Sequence, residues 1–487
     1  MSKNITELLK GVSPVEIMSA LDKLIDETYK TDPTNDYLYE NDENNFDNDI
    51  EAGFTSLKTN KNGDVMGHKR HPLRLYEYLY SMGDIHYCED TKYWRQWDGK
   101  KFNIITEGRL KQFLQKHYKN PECEIQNERS AFVDILRSQN VKYANDFTLK
   151  DDGLVNLRNG IYSMKSKKLL PHEPKNRMSY LININYVEET EAPIWNDLLE
   201  LITCGRPHMM TAIEEFIGYI FSGCSYKRFN KYLILDGEGS NGKSTLIRII
   251  KDLIGNENYS ATGLMDITTN RFAGHNLVDK LANFCSEEPR EAFANSGPLK
   301  KITGGDPSMV EAKGQGAFPY EHLAKLIISY NETPYFPDST KGFKRRILLI
   351  PCDQDLDARP QLMIHNVEER VKKEKSAIFY RCINAFHKVV ERGRFTYVKE
   401  GSTRVNDIIK ESNPFLGFVD EAIEITGEAD DFLSTKLLFD EYNKLQGLNS
   451  KAGFNGFSQK MSKIFAQYEG IKCVRNEHRG YSGIKLR

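Results

Sequence analysis

The chain has 487 residues, of which 39% are hydrophobic and 28% charged, and its formal net charge is −2. At roughly 100–200 residues per domain this length suggests about three domains, and the near-neutral balance leaves any affinity for nucleic acid to local patches. No apolar run is long enough for a bilayer span, MSKNITELLKG lacks a signal-peptide core, and the eight cysteines form no CxxC pair, which argues against a membrane protein, a zinc site and a disulfide framework. A reduced, cytoplasmic protein is expected.

Ser13-Pro14 followed by Glu16 reads as a helix start, with Ile17, Met18, Leu21, Leu24 and Ile25 on one apolar face. Such a helix either folds onto the main body, the favoured reading, or docks a partner. From Asp32 to Glu51 there are eight acids and no Lys or Arg, the pattern of a solvated linker. Asp47-Asn48-Asp49 superficially suggests paired metal-binding acids, but strand-forming neighbours are missing.

Between Pro72 and Tyr186 the pattern is mixed α+β. Trp94–Lys100 reads as a hairpin turned at Asp98-Gly99, and Val155–Tyr162 as a second strand-turn-strand. Residues 193–231 read as helical, with Trp195, Leu198, Leu199, Phe216 and Ile217 among the apolar positions.

Tyr232–Asp236 is a short apolar strand. It runs into Gly237-Glu238-Gly239-Ser240-Asn241-Gly242-Lys243-Ser244, and Thr245 begins a helical stretch. This is G-x4-G-K-S between a strand and a helix, the context that a phosphate-binding loop requires. Glycines let backbone N–H groups curl around phosphate oxygens, and the helix N-terminus adds partial positive charge. Lys243 would reach the outer phosphates of ATP, and Ser244 would ligate Mg²⁺.

The next strand, Leu281–Ser286, ends in Glu287-Glu288. Acids at the C-terminal end of a parallel strand stand where α/β sheets present ligands. Glu287 is assigned to Mg²⁺ through water and Glu288 to polarising the attacking water, although the two roles are exchangeable. The plain alternative is an exposed loop pair.

Lys301 precedes a stretch from Ser308 to Phe318 that reads as a hairpin with a glycine-rich tip carrying Lys313. Lys313, with Lys301 ahead of the hairpin, would grip DNA phosphates, and Phe318 would stack or brace. The alternative is a surface hairpin. Lys325–Tyr330 is a third strand, and Asn331 at its end either senses the γ-phosphate or simply forms a turn. Arg346, with Arg345 next, is the preferred arginine finger reaching a neighbour's site; each could equally be a surface charge.

After the Asn413-Pro414 break, three helical stretches are expected, the third over Ser458–Phe465. Two strands follow, joined by a basic wing. From Lys451 to Arg487 there are eight Lys/Arg against Glu469 and Glu477. This resembles a winged helix, with Lys460 and Lys463 on the helix and Arg475 and Arg479 at the wing. A basic scaffold that only helps assembly is the other reading.

In this order the motifs resemble superfamily 3 helicases, most closely the C-terminal module of phage, plasmid and poxvirus-type primase-helicases. The chain is similar to replication initiator helicases of phage satellites and staphylococcal genomic islands. The resemblance implies an α/β P-loop (AAA+-like) motor core, an α+β N-terminal region and a C-terminal winged-helix domain. Residues 1–70 would hold the helix and acidic linker, 71–190 the helicase-associated region, 191–400 the ATPase and 401–487 the DNA-binding domain. It implies a homo-oligomeric ring, a hexamer in that family, which hydrolyses ATP with Mg²⁺ to unwind forked or origin DNA. Members of that family often carry a primase domain, but no zinc cluster or catalytic acid set stands ahead of the helicase region here, so priming is expected of a separate protein. A DNA-bound ATPase switch or packaging motor without unwinding is the alternative; a non-enzymatic origin binder fits poorly with intact Lys243, Ser244 and the acid pair.

Overall fold

The computed structural model describes residues 55–70, 85–110, 134, 137, 141–143, 146–147, 153–311, 316–446, 453–475 and 479–487. The expected N-terminal helix, the acidic block and Lys313 lie outside them. The chain divides into two compact units, Met1–Leu75 with Phe113–Ile125, and Tyr76–Gln112 with Gln126–Arg487. In the first, strands Thr55–Thr59 and Val65–Arg70 pair antiparallel. The Asn60 side-chain oxygen accepts the N–H groups of Asn62 and Asp64 in the intervening turn.

The second unit is built on an all-parallel sheet of five strands: β1 (Tyr232–Asp236), β2 (Tyr259–Ser260), β3 (Ala282–Cys285), β4 (Lys325–Ser329) and β5 (Ile347–Pro351), in the order β2-β3-β4-β1-β5. Every residue of β1, β4 and β5 is buried. That is why these strands read as continuous apolar runs: helices cover both faces of such a sheet. The order sets β1 between β4 and β5, so whatever follows β1 emerges between the ends of its two neighbours.

Helices α1 (Pro193–Thr203) and α2 (Pro207–Ser222) each open on proline, whose fixed φ suits a first helical position. Helix α3 (Lys243–Ile254) follows β1, α4 (Leu264–Thr269) lies between β2 and β3, and α5 (Ser296–Ile302) between β3 and β4. The long α6 (Lys375–Arg392) lies along α2, with the Tyr219 and Phe386 rings stacked at 5.4 Å.

Two smaller sheets precede the core. Tyr93–Trp97 and Phe102–Ile105 form the expected hairpin, and Asp98 Oδ1 accepts the N–H groups of Lys100 and Lys101 in its turn. Leu154–Leu157 and Gly160–Ser163 form the second, with Lys168–Leu170 added. Val155, Leu157, Ile161 and Tyr162 share one buried cluster with Trp195, Phe216 and the parallel sheet. The expected division at 190 therefore does not separate two cores.

Helix α7 (Lys399–Ser412) likewise belongs to that core through Val405, Ile408 and Ile409. The C-terminal core starts at Phe415, after Asn413 caps α8 (Pro414–Ala422) by accepting the Phe415 N–H. The boundary expected at 401 thus moves to the Asn413-Pro414 break, because cutting at 401 would expose the apolar face of α7. Beyond it, α9 (Thr435–Gln446) and α10 (Phe454–Phe465) pack through Leu438, Tyr442, Phe457 and Met461. Strands Phe432–Ser434, Arg479–Ser482 and Lys472–Arg475 make a small antiparallel sheet, and Ile423–Ile425 pairs with Ile484–Leu486. Among the described residues no helix is long and apolar enough to cross a membrane, and no group of three His, Cys, Asp or Glu side chains is placed to hold a metal.

Candidate active site

The loop between β1 and α3 turns on two glycines. Gly237 has φ +150°, and a Cβ there would meet Asn241 Nδ2 and the Cys352 carbonyl, both at 2.5 Å. Gly242, at the N-terminal end of α3, has φ +84°, a left-handed conformation that glycine adopts without strain. Asn241 pins the loop from inside: its Nδ2 donates to the Glu238 carbonyl and, at 3.1 Å, to that of Cys352 just beyond β5. The Leu356 N–H donates to the Ser240 carbonyl at 2.8 Å.

Lys243 opens α3 and is 5% exposed. Its ammonium donates back to the carbonyls of Gly237 and, at 2.7 Å, Glu238. Burial lowers its pKa, partly opposed by Asp236. Asp236, the last residue of β1, is buried as well. Burial pushes its carboxyl up, while Arg404 of α7, 2.8 Å away, and the Tyr330 hydroxyl pull it down. Arg404 also reaches Asp353 at 3.4 Å, and Arg206 meets the same carboxylate at 3.0 Å. This network at the root of the loop was not foreseen. Asp236 stood in view beside Gly237, but its partner comes from a helix far along the chain.

Gly239 through Thr245 line a cavity of about 320 Å³, together with Asn331 at the end of β4. Leu198 and Leu201 of α1 and Leu356, Met363, Ile364 and Val367 form its apolar wall. That volume is within the range of small-molecule pockets. The structure thus brings Gly239 to Thr245 of the expected loop together with Asn331.

The acid pair is less uniform. Glu287 is exposed and has φ +56°. Glu288 is 7% exposed, and its carboxylate accepts the N–H groups of Leu264 at 2.7 Å and Met265 at 3.4 Å, at the start of α4. Burial raises its pKa, opposed by those two N–H groups. Its own N–H donates to the Ser329 carbonyl, which ties it to β4 beside Asn331.

The two arginines also differ. Arg346 is part-buried: its Nε donates to Thr303 Oγ1 at 3.1 Å, and its Nη1 to the Gly342 carbonyl. Arg345 is exposed. Among the expected DNA contacts, Lys301 is exposed. Strands Ser308–Val310 and Phe318–Tyr320 form the expected hairpin, and Phe318, 4% exposed, packs on Val310 and Tyr320. Lys460, Lys463, Arg475 and Arg479 are all exposed, and the Lys460 ammonium lies 4.6 Å from the Phe415 ring centre.

Residues 73–204 match the family model described as D5 N terminal like. Residues 235–346, from the end of β1 to Arg346, match a family of unknown function, DUF5906. A protein of Acanthamoeba polyphaga mimivirus named as a helicase is 23% identical over 208 residues, which cover 41% of this chain and 21% of that protein. The chain thus spans about a fifth of the length of this curated relative. Two solved apo structures of the NrS-1 C-terminal region cover 86% of this chain and 100% of theirs, at 13% identity and TM-scores of 0.54 and 0.55. The latter show a shared fold. The chain is thus similar to a D5-like region over residues 73–204 and to a helicase-named viral protein over part of its length.

Proposed function

We propose that the chain is an ATP-driven DNA helicase of the superfamily 3 kind, in which a P-loop from Gly237 to Ser244 binds ATP at the interface of a homo-oligomeric ring. The observation that carries this reading is the shared cavity. A glycine-turned loop, the buried Lys243 at a helix N-terminus and Asn331 of the neighbouring strand meet at the C-terminal edge of one parallel sheet.

The donor set fits a magnesium nucleotide. Backbone N–H groups of the loop would cradle phosphate, and Lys243 would exchange its two carbonyl partners for phosphate oxygens. Ser244 lines the cavity, and Glu287 has its carboxylate exposed, so these two would hold Mg²⁺. The ion would neutralise charge on the transferred phosphoryl group. Glu288 would orient and deprotonate water after leaving the N–H groups of α4. Asn331 would hold the terminal phosphate.

Completing the site from a second copy requires an arginine that extends outward. Arg345 now takes precedence over Arg346, because Arg346 is held within its own chain by Thr303 and Gly342. The hairpin carrying Lys313 and the C-terminal domain, read as a winged helix presenting Lys460, Lys463, Arg475 and Arg479, would supply the DNA contacts. Origin binding by that domain and initiation of a mobile element's replication extend the same reading.

The decisive experiment compares the wild-type chain with Lys243→Ala for ATP turnover and strand displacement on a forked duplex. The expected result is ATP-dependent displacement that Lys243→Ala abolishes while the variant remains folded by circular dichroism. DNA-stimulated turnover without displacement would instead identify a DNA-bound switch.

A further inference from the structure

A second cavity lies at the other end of the sheet. It has a volume of about 910 Å³ and is bounded by Phe229–Lys231 ahead of β1, the first residues of β5, the Arg392–Val398 turn and the first turns of α7. Five cations line it, Arg228, Lys231, Lys344, Arg392 and Arg394, and no Asp or Glu is among its lining residues.

Only one of the five has a carboxylate partner among the described residues. Arg392 meets Glu215 at 2.6 Å, and that buried acid also accepts the N–H and hydroxyl of Thr396, so its charge is spent. The Lys231 ammonium donates at 3.0 Å to the Ile347 carbonyl, and Lys344 at 2.9 Å to Asn406 Oδ1. Arg228 and Arg394 are exposed. Burial pushes Lys231 down to about 8, the mark of an ammonium that has lost water without gaining an anion. Four cations gathered around one concavity repel each other, and an anion entering it removes that cost.

The rim adds an aromatic. Tyr397 is 69% exposed, on the same turn as Arg394. A flat ring standing in solvent beside unpaired cations is the arrangement that binds single strands: cations follow the backbone and the ring takes a base. A duplex keeps its bases stacked inside and offers nothing to such a ring.

We propose that this cavity binds a single-stranded stretch of nucleic acid, with phosphates against Arg228, Lys231, Lys344 and Arg394 and a base stacked on Tyr397. The site lies at the sheet edge opposite the Lys243 loop and requires no ATP. It would hold a strand that has already been separated, or has yet to enter.

The test uses the full chain and an iodouracil-substituted oligothymidylate of about 12 nucleotides, irradiated and mapped by peptide mass spectrometry. A crosslink on the peptide that contains Tyr397 is expected, and Arg394→Glu, at an exposed position, should lower its yield about tenfold at unchanged melting temperature. Crosslinks confined to other peptides, or an undiminished yield in Arg394→Glu, overturn the proposal. So does equal competition by heparin or by a duplex of the same length, which would mean a simple polyanion patch. ATP turnover without DNA is expected to be unchanged in Arg394→Glu. A chain that crosslinks at Tyr397 yet never hydrolyses ATP would refute the helicase reading and leave this site standing.

Discussion

The Glu288 carboxylate accepts the Leu264 N–H at 2.7 Å, so the acid expected to activate water caps a neighbouring helix in this structure. Burial holds its pKa above the ordinary 4.5. The folded state then binds more protons than the unfolded state over a window that begins near 4.5, and stability falls as pH rises through it. Glu288→Gln keeps an acceptor for Leu264 and removes the charge. It should melt higher than wild type at pH 7, with the gain vanishing below pH 4.5. If Glu288 is the base, ATP turnover falls at least about a hundredfold in the same variant. Turnover within a few-fold of wild type would hand the role to Glu287, and a lower melting temperature at pH 7 would contradict the burial penalty.

Arg345 and Arg346 are neighbours with opposite surroundings, which makes their alanine variants separable. Arg346→Ala removes the bonds to Thr303 and Gly342 and leaves a buried hydroxyl without its donor. It should cost about 1–3 kcal/mol in urea unfolding. Arg345→Ala should leave stability within about 0.5 kcal/mol, the range of ordinary surface changes. If Arg345 completes a neighbour's site, its variant binds ATP normally and turns over about a thousandfold slower. Normal turnover in Arg345→Ala together with loss in a still-folded Arg346→Ala would restore the original order of the two.

Much of this architecture was legible in the chain because burial on both faces writes itself as apolar runs. Tyr232–Asp236, Lys325–Tyr330 and Ile347–Ile350 were readable for that reason, and the Gly237–Ser244 spacing located the loop between its strand and helix. The two-residue β2 and the strands Phe432–Ser434 and Ile423–Ile425 were not readable. They are short, of mixed polarity, and exist because another strand pairs with them. Side-chain direction was hidden for a related reason. Glu288 points where α4 leaves N–H groups to be satisfied, and Arg346 points where Thr303 ends α5. Neither neighbour is close in sequence. The ion pair of Asp236 with Arg404 joins a strand end to a helix of the last third of the chain, which no local pattern reveals.

His322 makes the hairpin region sensitive to acid. It is 2% exposed, bonded through Nε2 to the Ser308 hydroxyl at 2.8 Å, and burial pushes its pKa down to about 4 from 6.5. Between pH 6.5 and 4 the unfolded chain takes up a proton that the folded chain refuses. Its contribution to stability is therefore intact above 6.5 and is lost progressively down to about 4, below which no further loss accrues. His322→Gln keeps a partner for Ser308 and does not titrate. The difference in melting temperature between wild type and variant should shrink, or change sign, as pH falls from 7 to 4. A difference that stays constant over that range would show that His322 titrates as it does in water.

Arg95 and Asp279 join the D5-like region to the region matching DUF5906. Arg95 is 2% exposed and Asp279 11%. Burial disfavours the Arg95 charge, and Asp279 restores it through charge and hydrogen bond. Asp279→Ala would leave a guanidinium buried without its anion, which costs about 3–5 kcal/mol. Asp279 has φ +59°, a conformation that asparagine tolerates well, so Asp279→Asn adds no backbone strain and keeps an acceptor. Its loss should be smaller than that of alanine. Arg95→Met in the Asp279→Asn background removes the stranded charge and should recover part of the stability, since the pair's net contribution is far smaller than the cost of breaking it. Urea unfolding of the three variants checks this order. A loss under about 1 kcal/mol for Asp279→Ala would mean that water reaches Arg95 and that this ion pair adds little to what joins the two regions.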